Sequence, residues 1–184
     1  MAAKGTHAPA PGAARAPEPE PWRRALVAAA IAISAFTILS LPTLFLIPFG
    51  TEGGDGWADL AYFALQLIFL LVTPVVALAT AFAAGIPVDR RTRHLSTGRA
   101  VAWFAQVAAV PALIATGIVM VSSHVAPWLP FVTLLLPAAG AGALARLWVA
   151  PVLRSRAGTM AVVLVTVVIA TAPLLLFFLV RAGA

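Results

Sequence analysis

The chain has 184 residues, of which 62 % are hydrophobic and 10 % charged, with a mean hydropathy of +1.02 and a formal net charge of +6. A water-soluble fold of this size lacks the charged surface to cover so much apolar side chain, so the composition indicates an integral membrane protein. The absence of cysteine excludes disulfides, cysteine nucleophiles and cysteine-ligated metal centres. Most basic residues lie beside apolar runs, a pattern that indicates membrane orientation and argues against nucleic-acid binding.

The N-terminal segment 1–21 is rich in Ala and Pro, and we expect a disordered cytoplasmic tail. Its few apolar side chains do not offset the entropy lost on ordering the chain. The first apolar run, 25–49, follows the pair Arg23 and Arg24. A signal peptide is the rival interpretation, but its apolar core spans only about 7–15 residues and no convincing cleavage site follows here. The pattern therefore favours an uncleaved first helix.

The remainder, 22–184, is predicted to be a single transmembrane domain. Each apolar run approaches or exceeds the roughly 20 helical residues that cross a bilayer core. The least marked boundary is the polar break 122–127, which has no formal charge. As one helix, 100–147 would be about 70 Å long, so two spans and a turn fit better. The sequence predicts an all-α polytopic membrane protein, a bundle of five transmembrane helices over 25–49, 60–85, 100–121, 128–147 and 159–180.

The basic residues orient this bundle. When successive loops are assigned to alternate sides, eleven of the twelve Lys and Arg residues fall on one side and Arg181 falls on the other. Positive charge is retained in the cytoplasm, so we predict a cytoplasmic N-terminus and an outside C-terminus. The basic residues next to the spans are expected to contact anionic lipid headgroups. They are Arg23, Arg24, Arg90, Arg91, Arg93, Arg99, Arg154 and Arg156.

Tryptophan supports the same boundaries. The indole ring is apolar but carries an N–H, so tryptophan prefers the membrane–water interface. All five tryptophans lie within a few residues of a predicted span boundary, and we expect them to be interface anchors. They are Trp22, Trp57, Trp103, Trp128 and Trp148.

Small residues mark candidate packing faces. Helices in lipid associate through small side chains that let their backbones approach. The second span carries such residues four apart and therefore on one face, and the fourth carries a run of Ala and Gly. Packing within the bundle is favoured over a homodimer or partner interface. The selected residues are Thr73, Ala77, Ala81, Gly85, Gly140 and Gly142.

Prolines inside most spans predict kinked helices. Structural kinks are favoured over the broken helices that line the substrate cavities of transporters.

The predicted spans contain few ionisable or polar side chains. No Asp, Glu, Lys or His lies deep inside them, which argues against proton relays and ion-coupled transport. Gln66 and Gln106 are polar residues at different depths, and each is expected to bond another helix or a partner subunit. Arg146 lies near a helix end, from which its side chain can reach the interface.

The predicted outer loops offer one candidate metal or substrate site, formed by Glu52, Asp55, Asp59 and His124. Solvated loop residues are the favoured alternative, because the spacing does not match a calcium loop. The chain contains no nucleophile elbow, P-loop or HExxH motif. We therefore expect neither enzyme activity nor a bound cofactor.

These patterns favour an accessory or scaffolding subunit of a larger membrane complex. The alternative is a small transporter or lipid-handling protein acting as an oligomer. The expected partners are the lipid bilayer and either other membrane subunits or a second copy of the chain, with no nucleic acid. The strong preference for Arg over Lys and the abundance of Ala suggest a GC-rich bacterial genome, and thus a bacterial plasma membrane.

Overall fold

The computed structural model describes residues 20–46, 57–122 and 126–182, and all regular secondary structure in these ranges is helical. Within these ranges the helical elements form five columns. In chain order their elements are α1 (Pro21–Ser40), a 3₁₀ turn (Pro42–Leu46), α2 (Trp57–Thr80), the π-helical turn π1 (Ala81–Gly85), α3 (Ile86–Thr92), α4 (Thr97–Ser122), α5 (Trp128–Pro130), the π-helical turn π2 (Phe131–Leu135), α6 (Leu136–Leu153) and α7 (Arg156–Ala182).

Within the described residues, four helices are long and apolar enough to cross a membrane: Pro21–Ser40, Ala64–Thr92, Thr97–Val121 and Trp128–Leu153. The apolar part of α7 found by the same criterion, Arg156–Ile169, is shorter. The shortest of the four has 20 residues, about 30 Å of helix, which matches the hydrocarbon thickness of a bilayer. For the part of the chain described, the predicted all-α class is confirmed, and four helices have the length and apolar composition that a membrane span requires.

Three helix ends differ clearly from the prediction, and one of them is the end of α6, which continues to Leu153 beyond the predicted end at residue 147. α1 ends at Ser40, well before residue 49, and Pro42 follows. Proline has no N–H with which to continue the helix and commonly follows a C-terminus. The second column continues through π1 and α3 to Thr92, whereas a loop was expected after residue 85. Asp89 therefore lies within a helix, facing the bundle.

Both π-helical turns have the same local cause. Proline cannot donate to the carbonyl four residues before it, and its ring crowds that carbonyl. Pro87 and Pro137 each stand two residues after a π turn. In both turns the N–H just before the proline bonds the carbonyl five residues back, from Ile86 to Ala81 and from Leu136 to Phe131. Each π turn therefore accommodates one extra residue, and the helix continues through it.

The most closely packed part of the bundle surrounds α6. α6 packs extensively against both α1 and α4, and one apolar cluster joins α1 and α6 through Val27, Ile31 and Ala145. α7 packs against α1, where Thr166 Oγ1 lies 2.9 Å from Ser34 Oγ and donates to the Ala30 carbonyl at 3.0 Å. The α2 column contacts α1 and α4 less extensively.

A cavity with one basic end

A cavity of about 240 Å³ lies between α1, the α2–π1–α3 column, α4 and α6. It is partly open, and apolar groups form nearly all of its wall. The wall is made largely of small side chains, such as Ala28, Ala32, Ala108 and Ala141. Because small residues face one another across the gap, no side chain fills the space between the helices.

The predicted packing stripe of the second span forms one wall of this cavity. Thr73, Ala77, Ala81 and Gly85 all line it, and each is only partly buried. Gly142 of the fourth span also lines the cavity, and both selected glycines of that span lie close against a neighbouring helix. A Cβ built on Gly140 would lie 3.0 Å from Leu39 Cδ1, and one on Gly142 would lie 2.5 Å from the Phe104 carbonyl oxygen. The two candidate stripes therefore differ in how closely neighbouring helices approach their glycines, since a Cβ built on Gly85 would meet nothing nearer than 3.8 Å.

One end of the cavity is charged, and we call it the basic end: Arg24, Asp89, Arg93 and Arg146. Three guanidinium groups from three columns surround the Asp89 carboxylate. Arg24 Nη1 lies 3.5 Å and Arg93 Nη2 lies 3.4 Å from Asp89 Oδ2, while Arg146 Nη1 lies 3.3 Å from Oδ1. Arg24, Asp89 and Arg93 line the cavity itself, as does Arg90.

The local sequence explains why these groups meet. Asp89 and Arg93 are four residues apart and share a face of the second column. α1 starts and α6 finishes near the same end, so Arg24 and Arg146 reach the same carboxylate. Arg146 also stacks over Phe104, with its guanidinium carbon 5.5 Å from the ring centroid. This cation–π contact orients Arg146, and Phe104 lines the cavity.

The basic end is only partly exposed. The Asp89 side chain is 18 % accessible, and the three arginine side chains range from 22 to 36 %. Arg93 is the most exposed of the three, and Arg23, Arg90, Arg91, Arg99, Arg154 and Arg156 are exposed as well. Of the eight arginines predicted to contact headgroups, Arg24 and Arg93 therefore contact Asp89, and Arg24 alone is partly buried.

Tyr62, Gln66, Thr116 and Thr133 form a buried polar set at the opposite end of the bundle, between the second, third and fourth columns. Tyr62 Oη and Thr133 Oγ1 are 2.8 Å apart and hydrogen bonded. Gln66 and Thr116 are also buried, and within the described residues Gln66 Nε2 and Thr116 Oγ1 have no hydrogen-bond partner. The second column therefore has polar contacts at both ends and cavity wall between them.

The other candidates occupy varied positions. Glu52, Asp55 and His124 lie outside the described residues, and Asp59 lies in α2 with its side chain outside them. Among the described residues, no three His, Cys, Asp or Glu side chains lie close enough to hold a metal. The interface candidates Trp22, Trp103, Trp128 and Trp148 are exposed near helix ends or beside charged residues, and the Trp57 side chain is outside the described part. Gln106 is exposed on α4.

Two residues of the basic end escaped the sequence analysis in this role. Asp89 lies between the second and third predicted spans, where the sequence predicts a loop, and Arg146 lies near a predicted helix end. A signal was present, because Asp89 is the only acidic residue after Asp59 and stands among arginines. A lone carboxylate in a basic stretch next to a span is a candidate for intramolecular ion pairs.

Comparisons with protein-family models, curated proteins and solved structures find no match to this chain. The cavity and its basic end are therefore the features from which a function can be inferred.

Proposed function

We propose that the chain is a lipid-handling protein of a bacterial plasma membrane that binds an amphiphilic molecule between its helices. In this proposal the chain crosses the membrane five times, with α7 as the fifth span, a cytoplasmic N-terminus and an outside C-terminus. The single observation that carries the binding function is the apolar cavity of about 240 Å³ with charge at one end. The apolar wall favours the apolar part of an amphiphilic ligand, and the charged end favours the polar group attached to that part.

The volume and wall chemistry favour an apolar occupant over water. Apolar cavities stay dry, and one of about 150 Å³ is large enough for benzene. The cavity here is larger, and alanine and aliphatic side chains from four columns line it. It therefore has room for part of an acyl chain or a comparable apolar group.

A matched pair of α2 variants tests this proposal. Ala77 lines the cavity, whereas Ala79 lies two residues further along the same helix and is exposed. In Ala77→Phe the ring occupies the cavity, so we expect lipid retained through detergent purification to fall by about tenfold, as measured by native mass spectrometry of the full chain. Ala79→Phe adds the same ring on the outer face and should retain lipid as the wild type does. Equal retention by both variants would refute the binding function.

The proposed topology has its own test, helped by the absence of native cysteine. A single cysteine at Ser96, in the α3–α4 turn, should be protected from a membrane-impermeant maleimide in intact cells. A single cysteine at Ala184 should react. Protection at both sites, or labelling at both, would contradict a chain that crosses five times.

An accessory role in a larger membrane complex is a second proposal, and Gln106 is the observation that favours it. This amide is exposed on α4 among apolar neighbours such as Val110 and Leu113. A polar side chain facing lipid is better satisfied by a hydrogen bond to another helix. Gln106→Leu should weaken association with a partner or a second copy, detected by cross-linking in native membranes. An unchanged cross-linking pattern would argue against this role.

A further inference from the structure

We infer that the cavity admits a single straight acyl chain, and that three bulky side chains at the end away from Asp89 limit the length of that chain. These side chains are Phe36, Phe69 and Leu134, and we call them the closed end. The inference rests on the proposed binding of an amphiphile in the cavity. It adds the class of ligand, a single-chain amphiphile, and the residues that determine which chain length binds best.

The core of the bundle seals the closed end. Phe36 and Leu134 are buried members of one apolar cluster, and Phe69 packs against that cluster. Val119 and Leu129 belong to the same cluster and are at most 1 % exposed. Because such a core is close-packed, a chain that reaches the closed end has no space for further carbons.

The opposite end of the cavity is accessible to the polar part of a ligand. Arg90 and Arg93 line the cavity there, and both side chains are exposed. A polar group bound at this end therefore keeps contact with solvent, while the chain attached to it lies against the apolar wall. With one open polar end and one closed apolar end, the cavity accepts an amphiphile in a single orientation.

Two columns give the same distance between these ends. Arg24 and Phe36 are twelve residues apart on α1, and Leu134 and Arg146 are twelve residues apart in the fourth column. Twelve residues of helix are about 18 Å long. An extended hydrocarbon chain advances about 1.3 Å per carbon, because its C–C bonds of about 1.5 Å zigzag along the axis. About 14 carbons would therefore span the cavity.

The volume shows that this space is narrow. An apolar cavity of about 150 Å³ holds benzene, which has six carbons, so by the same proportion a cavity of about 240 Å³ holds about ten. Extended along about 18 Å of helix, that volume suffices for one chain but not for two chains side by side or for a rigid ring system. Length and volume together predict that chains of about 10–14 carbons fill the cavity best.

The test uses the full chain in detergent with an equimolar mixture of lysophosphatidylcholines, whose single acyl chains have from about 8 to about 18 carbons. Native mass spectrometry separates the bound lipids by mass. The wild type should bind the lipids of about 10–14 carbons best. Phosphatidylcholine with two chains of about 12 carbons should bind at least fivefold less than the single-chain lipid of that length. Equal binding of the two would overturn the single-chain class.

Phe36→Ala removes bulk from the closed end and lengthens the space. The ratio of bound 16-carbon to 12-carbon lipid should rise by about fivefold, roughly the effect of admitting one more methylene group. Phe82→Ala is the control, because Phe82 is exposed and does not line the cavity. Each lipid partitions into the detergent equally for all variants, so a difference between variants reports on the cavity. The same rise in Phe82→Ala would overturn the role of the closed end.

Ala115→Leu makes the opposite change and keeps the test decisive if Phe36→Ala does not fold. Ala115 lines the cavity, packs against the cluster at the closed end and is only partly buried, so a larger side chain shortens the space. The ratio of bound 12-carbon to 8-carbon lipid should fall by about fivefold. Ala102→Leu is the control, because Ala102 is exposed on the same helix and does not line the cavity. A length preference that Ala115→Leu leaves unchanged would overturn the inference.

The length limit and the proposed binding function fail in different ways. If every chain length binds the wild type equally but Ala77→Phe releases them all, the length limit is wrong and the binding function stands. If Ala77→Phe releases none of them, the binding function itself is wrong.

Discussion

α1 meets two helices in opposite ways. Against α6 it forms a close apolar interface, with Val27 and Ile31 buried beside Ala145 and Val149. Towards the second column it faces the cavity, with Ala28 and Ala32 on one side and Ala77 and Ala81 on the other. The small residues are on the cavity side, so small side chains alone do not bring two helices into close contact.

Polar contacts at the two ends of the second column explain why a cavity separates it from α1, whereas α6 packs closely against α1. At the basic end Asp89 is tied to Arg24 of α1 and Arg146 of α6, and at the opposite end Tyr62 is tied to Thr133. These polar contacts hold the column at both ends, while its small-residue middle has no bulky side chain to fill the gap. α6 is close to its neighbours along its length, because Gly142 lets it lie against the backbone of α4 at Phe104.

The largest expected effect is at this close contact. In Gly142→Ala the new Cβ would lie 2.5 Å from the Phe104 carbonyl oxygen and 2.6 Å from Ala108 Cβ, distances that require the helices to separate. We expect a loss of about 1–3 kcal/mol in the free energy of unfolding, the usual cost of overpacking. Unfolding by denaturant in a defined detergent gives the value. The control is Gly117→Ala in α4, where a Cβ meets nothing within 4 Å; a similar loss in both variants would contradict close packing at Gly142.

A smaller effect is expected at the polar contact that fixes the far end of the second column. Tyr62→Phe removes the partner of the buried Thr133 hydroxyl, and Thr133→Val removes one of the side-chain hydrogen bonds of Tyr62, which also bonds Gln66. Each should cost about 1 kcal/mol, while the double variant should cost less than the sum because no buried hydroxyl is left unpaired. Unfolding of the four proteins under one condition yields the coupling energy. Strictly additive losses would mean that this hydrogen bond does not hold the column.

The sequence predicted the helical class and the approximate positions of the columns, because long uncharged apolar runs admit few other structures. It also predicted small residues at helix–helix contacts, and Gly142 lies at such a contact. It did not distinguish the close contact at Gly142 from the loosely packed stripe at Thr73, Ala77, Ala81 and Gly85, although both border the cavity. The two patterns are alike in composition, and the difference depends on where the neighbouring columns lie.

The basic end could not be predicted from the sequence for a similar reason. Charge counting assigned every arginine to orientation, and no local pattern shows that Arg24 and Arg146 converge on Asp89. That convergence joins residues 65 and 57 positions apart. It also depends on the helix continuing through π1, where a loop was expected because the stretch from Pro87 to Arg99 is strongly basic.

The smallest expected effect is a gain in the free energy of unfolding, and it tests the comparison between the two sides of α1. Gly85 is a helical glycine like Gly142, but a Cβ built on it meets only Thr80 O at 3.8 Å and Ala81 Cβ at 3.9 Å. Gly85→Ala therefore removes backbone freedom from the unfolded chain without a clash, and we expect a gain of about 0.5–1 kcal/mol. The measurement is the one used for Gly142→Ala. Destabilisation at Gly85 would mean that the second column packs as closely as α6 does, and the difference between the two sides of α1 would disappear.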